Sequence, residues 1–355
     1  MSAGGKKPAG GDSPLRVAFV ACNKNPRKFW FDPSFRYRCE NIGLALRECG
    51  HRAEFLHLKK FPLPAGFDAV VLHRPSDGLR FRLVRWICAR RGIPLMADVD
   101  DLIFDPMLAE FSPGVMNRLV PMPLTRRRFA SHRRALGLAS SLTCTTGPLA
   151  SRLRQAFPRA HITTIPNTVH RTWIDKPSEP VPPEAQDLIY TPGTRSHDRD
   201  FGVIAGTIER LLKENPALGL RITGALDWRH GLAPGRVHLA PKVPFEQFHK
   251  VVRGGWINLA PLEESPFNRC KSALKVIEAA FWNIPTLCSP LPDAERFRGC
   301  GAIICTTPGE WAQNISNFLL NPAALRQQSQ GLRERMLADT RDVASRWLEA
   351  AVRAA

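Results

Sequence analysis

Short, uninterrupted apolar runs alternate with longer amphipathic stretches along almost the whole chain. LRVAFVA (15–21) is a continuous apolar run that ends in a polar loop; FRYRCENIGLALRECGH follows, with Ile42, Leu44, Ala45 and Leu46 at helical spacing and Gly50 as its stop. AEFLHL, DAVVLHR, IPLMADV, SSLTCTT and HITTIPN repeat the first signature, and the stretches around LRFRLVRWICARRG, the basic region to Ala139 and SRLRQAF repeat the second. Such runs read as strands buried on both faces, and their alternation with helices predicts an α/β protein with a mostly parallel, doubly wound sheet. After the proline-rich KPSEPVPPEAQ the cycle restarts with DLIYTPG, DFGVIAGTIERLLKENP, LGLRITG, VHLAP, FEQFHKVVRG, WINLAP and IPTLCSP. The pattern predicts a polar tail over 1–14, a first unit over 15–175, a linker over 176–186, a second unit over 187–330 and a helical end over 331–355.

Before the last of these runs lies NRCKSALKVIEAAFWN (268–283), which reads as one helix. Lys271, Lys275 and Glu278 fall within about 60° of one another on it, while Leu274, Ile277, Ala280 and Phe281 form the opposing apolar face. Two lysines one turn apart repel each other, and near a helix start they oppose its dipole; a bound anion would relieve both penalties. Asn268 is placed to cap this helix. A solvated face carrying a Lys275–Glu278 pair is the competing reading.

Composition adds a charge problem. The 355 residues contain 50 Lys and Arg against 32 Asp and Glu, a net charge of +18. That excess favours an anionic partner: nucleic acid, an anionic membrane surface or a phosphorylated substrate. The basic residues cluster locally, as in TRRRFASHRR (125–134) and CARRG (88–92), with no helix-turn-helix, zinc-finger or aromatic RNA-binding pattern, so no nucleic acid is expected. Nine cysteines without a C-x-x-C pair fit a reduced, cytoplasmic protein. No apolar run reaches the roughly 18 residues needed to span a bilayer, so membrane contact would be peripheral, on the inner face of the cytoplasmic membrane.

RYRCENIGLALRECGH, TTIPNTV, YTPGTRSHDRDF, LRITG and INLAPLEESPFNRCKSALKVIEAAFWNIPTLCSP, in this order, resemble the retaining glycosyltransferases of the GT-B fold, of the family four type that builds bacterial surface polysaccharides and lipopolysaccharide. The resemblance implies two Rossmann-like domains facing across a cleft, with the last helix returning to the first. It also implies a nucleotide-sugar donor, a glycan or lipid-linked glycan acceptor and no metal or other cofactor. Glu278 matches the glutamate that grips the donor ribose. Cys270 stands where the family has a second glutamate against the transferred sugar, leaving Glu263 or Glu264 as candidate substitutes. The family's loop after the first strand of the second domain supplies a cation to the leaving diphosphate, which implies Arg195 for that role; a diphosphate at the start of the 268–283 helix would also meet Lys271 and Lys275, and Gly193, Asn268 and Ser272 are the further residues expected to bind the donor.

ADVDDLIFD places Asp98, Asp100 and Asp101 at the end of a strand, where ligands of such sheets bind. One reading is the D-x-D metal site of the other glycosyltransferase fold; the preferred one is an acceptor-side role, with Asp98 or Asp100 orienting or deprotonating the incoming hydroxyl. Arg36, Arg38, His73 and Asp101 complete the expected acceptor side. A non-catalytic nucleotide-sugar-binding homologue and a basic nucleic-acid-binding protein are the rival classes.

Overall fold

The computed structural model describes residues 13–354 except 23–24, 63–65, 140 and 178–185, with side chains to Ala351. Two six-stranded sheets, parallel in every pairing, account for the alternation. The first contains β1 (Arg16–Ala21), β2 (Arg52–His57), β3 (Ala69–His73), β4 (Leu95–Val99), β5 (Ser141–Cys144) and β6 (His161–Thr164), in the order β2-β1-β3-β4-β5-β6. The second contains β7 (Asp187–Tyr190), β8 (Gly219–Thr223), β9 (Val237–Ala240), β10 (Ile257–Ala260), β11 (Thr286–Cys288) and β12 (Ala302–Ile304), in the order β12-β11-β10-β7-β8-β9. Strand order reverses between β1 and β3 in one sheet and between β7 and β10 in the other, and these crevices at the carboxyl ends are where doubly wound sheets bind ligands. The three-residue β12 has no counterpart in the sequence reading, since GAIICTT is too short and glycine-flanked to separate from a loop. Most of the predicted linker, 176–186, and most of the tail, 1–14, lie outside the described residues.

The runs at the centres of the sheets are interior, as their lack of alternation demands: Val17 through Ala21 are fully buried, and β3 and β10 are buried throughout, whereas the edge strands β6 and β9 are partly or largely exposed. Helix starts follow local chemistry, with Thr146 accepting from the Leu149 amide ahead of Gly147–Ala156 and Thr307 doing the same for Pro308–Leu320. The final helix, Val343–Ala354, packs on the first sheet, not the second. Its Trp347 is buried in the same cluster as Val17, Phe19, Ile42 and Leu46, with its ring 5.6 Å from that of Phe19. Residues 33–48 run as one nearly continuous helical segment whose middle, Arg36–Glu40, widens to a π turn. Such a turn redirects side chains, and this one places Arg36 and Tyr37 against the second unit while Arg38 points into the first.

Candidate functional site

A cavity of about 620 Å³ opens at the β7/β10 crevice. Its floor is the loop after β7, Thr191 to Gly193, and the segment Lys271 to Val276; the first unit contributes Phe31 and Pro33 to its rim. Gly193 has a positive φ of 75°, and at the neighbouring Gly224 a Cβ would lie 2.7 Å from the Gly193 nitrogen, so two loops pass here at a distance only glycine permits. Of the residues that sequence reasoning assigned to a donor, Gly193, Lys271, Ser272, Lys275 and Glu278 all line this one cavity.

The local backbone differs from the single helix expected over 268–283. Asn268–Cys270 is one 3₁₀ turn, Lys271 is extended, and the α-helix runs only from Leu274 to Ala280. Asn268 therefore caps no helix; its side-chain amide donates to Asp200 and to the Glu263 carbonyl, tying the loop together. The lysines still converge, Lys271 from the extended approach and Lys275 from the first helical turn. Ser272 Oγ is buried and has no hydrogen-bond partner among the described residues, leaving a hydroxyl at the cavity wall for a ligand to satisfy.

Lys275 Nζ donates to the carbonyl and hydroxyl of Thr191, and burial with Lys271 nearby lowers its pKa to about 8 despite Glu278. Glu278 is only 7% exposed, and burial raises its pKa to about 7 against the pull of Lys275 and Tyr37. Tyr37 of the first unit donates its hydroxyl to Glu278 Oε1 at 2.8 Å. The tyrosine ring stands edge-on to His170 and Phe245, and Arg36 stacks over Phe245 while pairing with Glu246 at 2.7 Å. Sequence reasoning singled out neither Tyr37 nor His197. His197 Nδ1 lies 2.7 Å from the buried Asp200, which also accepts from Asn268 and the Glu263 amide, and its ring joins the cavity wall. Burial and Lys271 hold its pKa at about 4, so the ring is neutral at pH 7. The i, i+3 spacing of His197 and Asp200 in SHDRDF was the available signal.

Other expected residues lie elsewhere. Arg195 is not in the cavity wall: 51% exposed, it pairs with Asp198 and Asp227. Glu263 is taken by both arms of Arg199, and Glu264 points outward beside Arg269; neither lines the cavity. Cys270, 2% exposed, packs in the first unit's cluster with Leu142, Cys144 and Leu149, where a carboxylate would be desolvated without a partner. Thr146 of the first unit donates to its carbonyl, so this position joins the units and does not face a sugar.

The expected acceptor side is a buried ionic network. Asp98, 1% exposed, accepts from Arg38 and Thr143 and lies 3.0 Å from His73 Nδ1, so both oxygens are occupied. His73 meets Ser34 at 2.9 Å, Ser34 donates to Asp100, and Arg74 bridges Asp100 and Asp101. The first unit's own crevice, between β1 and β3, is thus filled by its side chains. Arg38 is also bound to the Ile165 carbonyl, and Arg36 to Glu40 and Glu246, which leaves neither guanidinium free. Every carboxylate oxygen of Asp98 and Asp100 thus already accepts from the first unit's own side chains, and no group of three or more potential metal ligands occurs among the described residues. Asp101 differs: burial and Asp100 raise its pKa, and the charge of Lys271 reaches it across the cleft.

Comparison with known proteins agrees with this architecture. Residues 203–349 match a family model described as glycosyl transferase-like. Sucrose-phosphate synthase from Thermosynechococcus elongatus superposes with a TM-score of 0.60 at 13% identity, over 96% of this chain and 97% of that one. The pneumococcal O-GlcNAc transferase GtfA, solved with UDP and GlcNAc, gives 0.56 at 13% identity over 81% of this chain and 56% of its own. UDP-GlcNAc 2-epimerase from Neisseria meningitidis, bound to UDP-GlcNAc, gives 0.53 at 11% identity over 94% and 100%. No curated protein matches the sequence. At these identities the likeness is one of fold, and the fold is GT-B. Among the described residues no helix is long and apolar enough to cross a membrane.

Proposed function

We propose that the protein is a glycosyltransferase that moves a sugar from a nucleoside-diphosphate donor to a glycan or lipid-linked glycan acceptor. The observation that carries this reading is the convergence of Lys271, Lys275, the unpartnered Ser272 hydroxyl and Glu278 on one cavity at the β7/β10 crevice. The diphosphate sits beside Lys271 and Ser272, and the ribose reaches Glu278, whose carboxylate exchanges the Tyr37 hydroxyl for sugar hydroxyls. As the bond from the anomeric carbon to the diphosphate oxygen breaks, its electrons pass to the diphosphate, and fixed cations that meet this growing charge lower the barrier. Lys271 takes the role that the sequence gave jointly to Arg195. The acceptor oxygen bonds to the anomeric carbon and sheds its proton; Asp101, opposite Lys271, is the carboxylate that suits this uptake. Retention of configuration and a surface-polysaccharide or lipopolysaccharide product rest on the sequence resemblance alone.

The second reading, a nucleotide-sugar-binding protein without transferase activity, is favoured by the cavity wall, whose one carboxylate among the described residues is Glu278, with Cys270 turned away where the family has a second glutamate. Calorimetry with UDP and GDP tests the shared site: Lys271→Ala weakens binding at least tenfold, the equivalent of about 1.4 kcal/mol, and unchanged affinity refutes the site. Release of sugar from a panel of nucleotide sugars, with and without acceptor, then separates transferase from binder, and full activity in EDTA is expected.

A further inference from the structure

The second anomaly of this molecule lies on the outside of the first unit. Helix Leu79–Arg91 buries Phe81, Val84, Ile87 and Cys88 on one face, yet its opposite face presents Leu79, Leu83 and Trp86 at i, i+4 and i+7, Leu79 at 90% and Trp86 at 54% exposure. A helix apolar on two opposite sides needs a second apolar surface. Helix Met122–Leu136 runs beside it: Asp77 pairs with Arg82 of one and Arg134 of the other, Arg85 donates to the Leu138 carbonyl, and Ala135 shares the core cluster of Phe81 and Val84. This neighbour adds exposed Met122 and Leu124, and Leu138 follows it. Each helix carries five arginines and neither contains Asp or Glu. Arg126, Arg127 and Arg128 are exposed and in no ion pair among the described residues, and Arg90 stacks 5.2 Å from the Trp86 ring.

We propose that this two-helix face docks on the headgroup surface of an anionic lipid bilayer. The chemistry is that of an interfacial anchor: Leu and Trp enter the acyl boundary, while arginines surround them at the depth of the phosphates. Nucleic acid would satisfy the arginines but leave the leucine and tryptophan stripe in water, and an acidic protein patch lacks the apolar depth that stripe needs. The face reaches the cleft rim, since Asn117, in the segment leading to Met122–Leu136, donates to the Ser196 carbonyl of the second unit. A docked molecule therefore holds its cleft next to the bilayer, within reach of a lipid-linked acceptor. That last point rests on the proposed reaction; the docking itself does not.

Co-sedimentation of the full-length protein with phosphatidylcholine vesicles, with and without phosphatidylglycerol, tests this. Binding is expected only with the anionic lipid. Arg126→Gln/Arg127→Gln/Arg128→Gln lowers the partition coefficient by on the order of a hundredfold, at roughly fivefold per surface cation. Leu83→Glu/Trp86→Glu abolishes the part of the binding that survives high salt. All five substitutions are at exposed positions, and unchanged melting temperatures and UDP affinity confirm that fold and cavity are intact. Absence of vesicle binding, equal binding to neutral vesicles, or anionic binding unaffected by Leu83→Glu/Trp86→Glu would overturn the proposal. The last outcome, together with arginine-dependent binding to a DNA duplex, would assign the face to polyanions in general.

Discussion

Tyr37→Phe removes one hydroxyl, yet that hydroxyl is the buried hydrogen bond by which the first unit holds Glu278 of the second, at 2.8 Å. Its loss should cost stability by an amount that depends on the charge of Glu278. With Glu278 protonated the bond is neutral, worth about 1 kcal/mol; with Glu278 ionised it is charge-assisted, worth about 1.5–3 kcal/mol. Burial lifts this carboxyl from its ordinary 4.5 to about 7, so the folded state keeps its proton over a range where the unfolded chain has lost it. A carboxyl raised in this way contributes stability that is complete below 4.5 and is lost as pH climbs through about 7. Removing Tyr37 raises the folded value further, so the variant's loss continues to higher pH. Urea unfolding of both proteins at about pH 5.5 and about pH 7.5 reads the difference: it should be about 1 kcal/mol at the lower value and rise to just under about 2 kcal/mol at the higher, because half a pH step past a folded value of about 7 adds at most about 0.8 kcal/mol. A difference equal at both pH values, or larger in acid, would refute the assignment of Tyr37 as a donor to the ionised carboxylate.

Arg38→Met strands Asp98 in the first unit's interior and should cost about 3–5 kcal/mol of stability, visible as a lower melting temperature; a variant that melts normally but loses activity would return Arg38 to the acceptor site. Arg195→Ala, which removes a half-exposed side chain from two surface ion pairs, should leave UDP affinity within about threefold of the parent; a tenfold loss by calorimetry would bring that guanidinium back to the diphosphate. Trp347→Ala empties the contact between the last helix and the first sheet and should cost about 3–5 kcal/mol in chemical unfolding, with no change expected in donor affinity if the protein is assayed while folded.

Apolar runs without alternation made the parallel sheets legible, because strands covered on both faces leave a signature that loop sequences do not imitate. Eleven of the twelve strands fall on runs read in the sequence, the alternating β8 and the three-residue β11 among them; β12 escaped because its three residues sit in GAIICTT, where a glycine before and a threonine pair after give the look of a loop. The NRCKSALKVIEAAFWN stretch was legible as to destination and not as to shape. Its lysines and Glu278 do share a cavity, but Asn268 through Ser272 approach it in a 3₁₀ turn and an extended link, a change of backbone that residue periodicity does not record. ADVDD misled for a different reason. Asp98 and Asp100 at a strand end look available until Arg38, His73, Thr143, Ser34 and Arg74 arrive from three separate stretches of the chain, and one sequence holds no record of those meetings. A hint existed: Asp98 is the lone charge inside LMADV, and a carboxylate within a buried parallel strand must bring a partner with it.

The placement of Trp347 also orders events during synthesis. The first unit is made first, but its core lacks a side until Val343–Ala354 has left the ribosome, because Phe19, Ile42 and Leu46 pack on that helix. Among the described residues no strand of either sheet follows β12, so the second sheet has all its strands before that helix is made. The usual order of domain completion from the N-terminus is inverted here, and that apolar face stays open from the synthesis of β1 until Val343–Ala354 emerges. A nascent chain arrested before Val343 would present that face to chaperones and proteases; release of Val343–Ala354 closes it and locks β1 and that helix into one core.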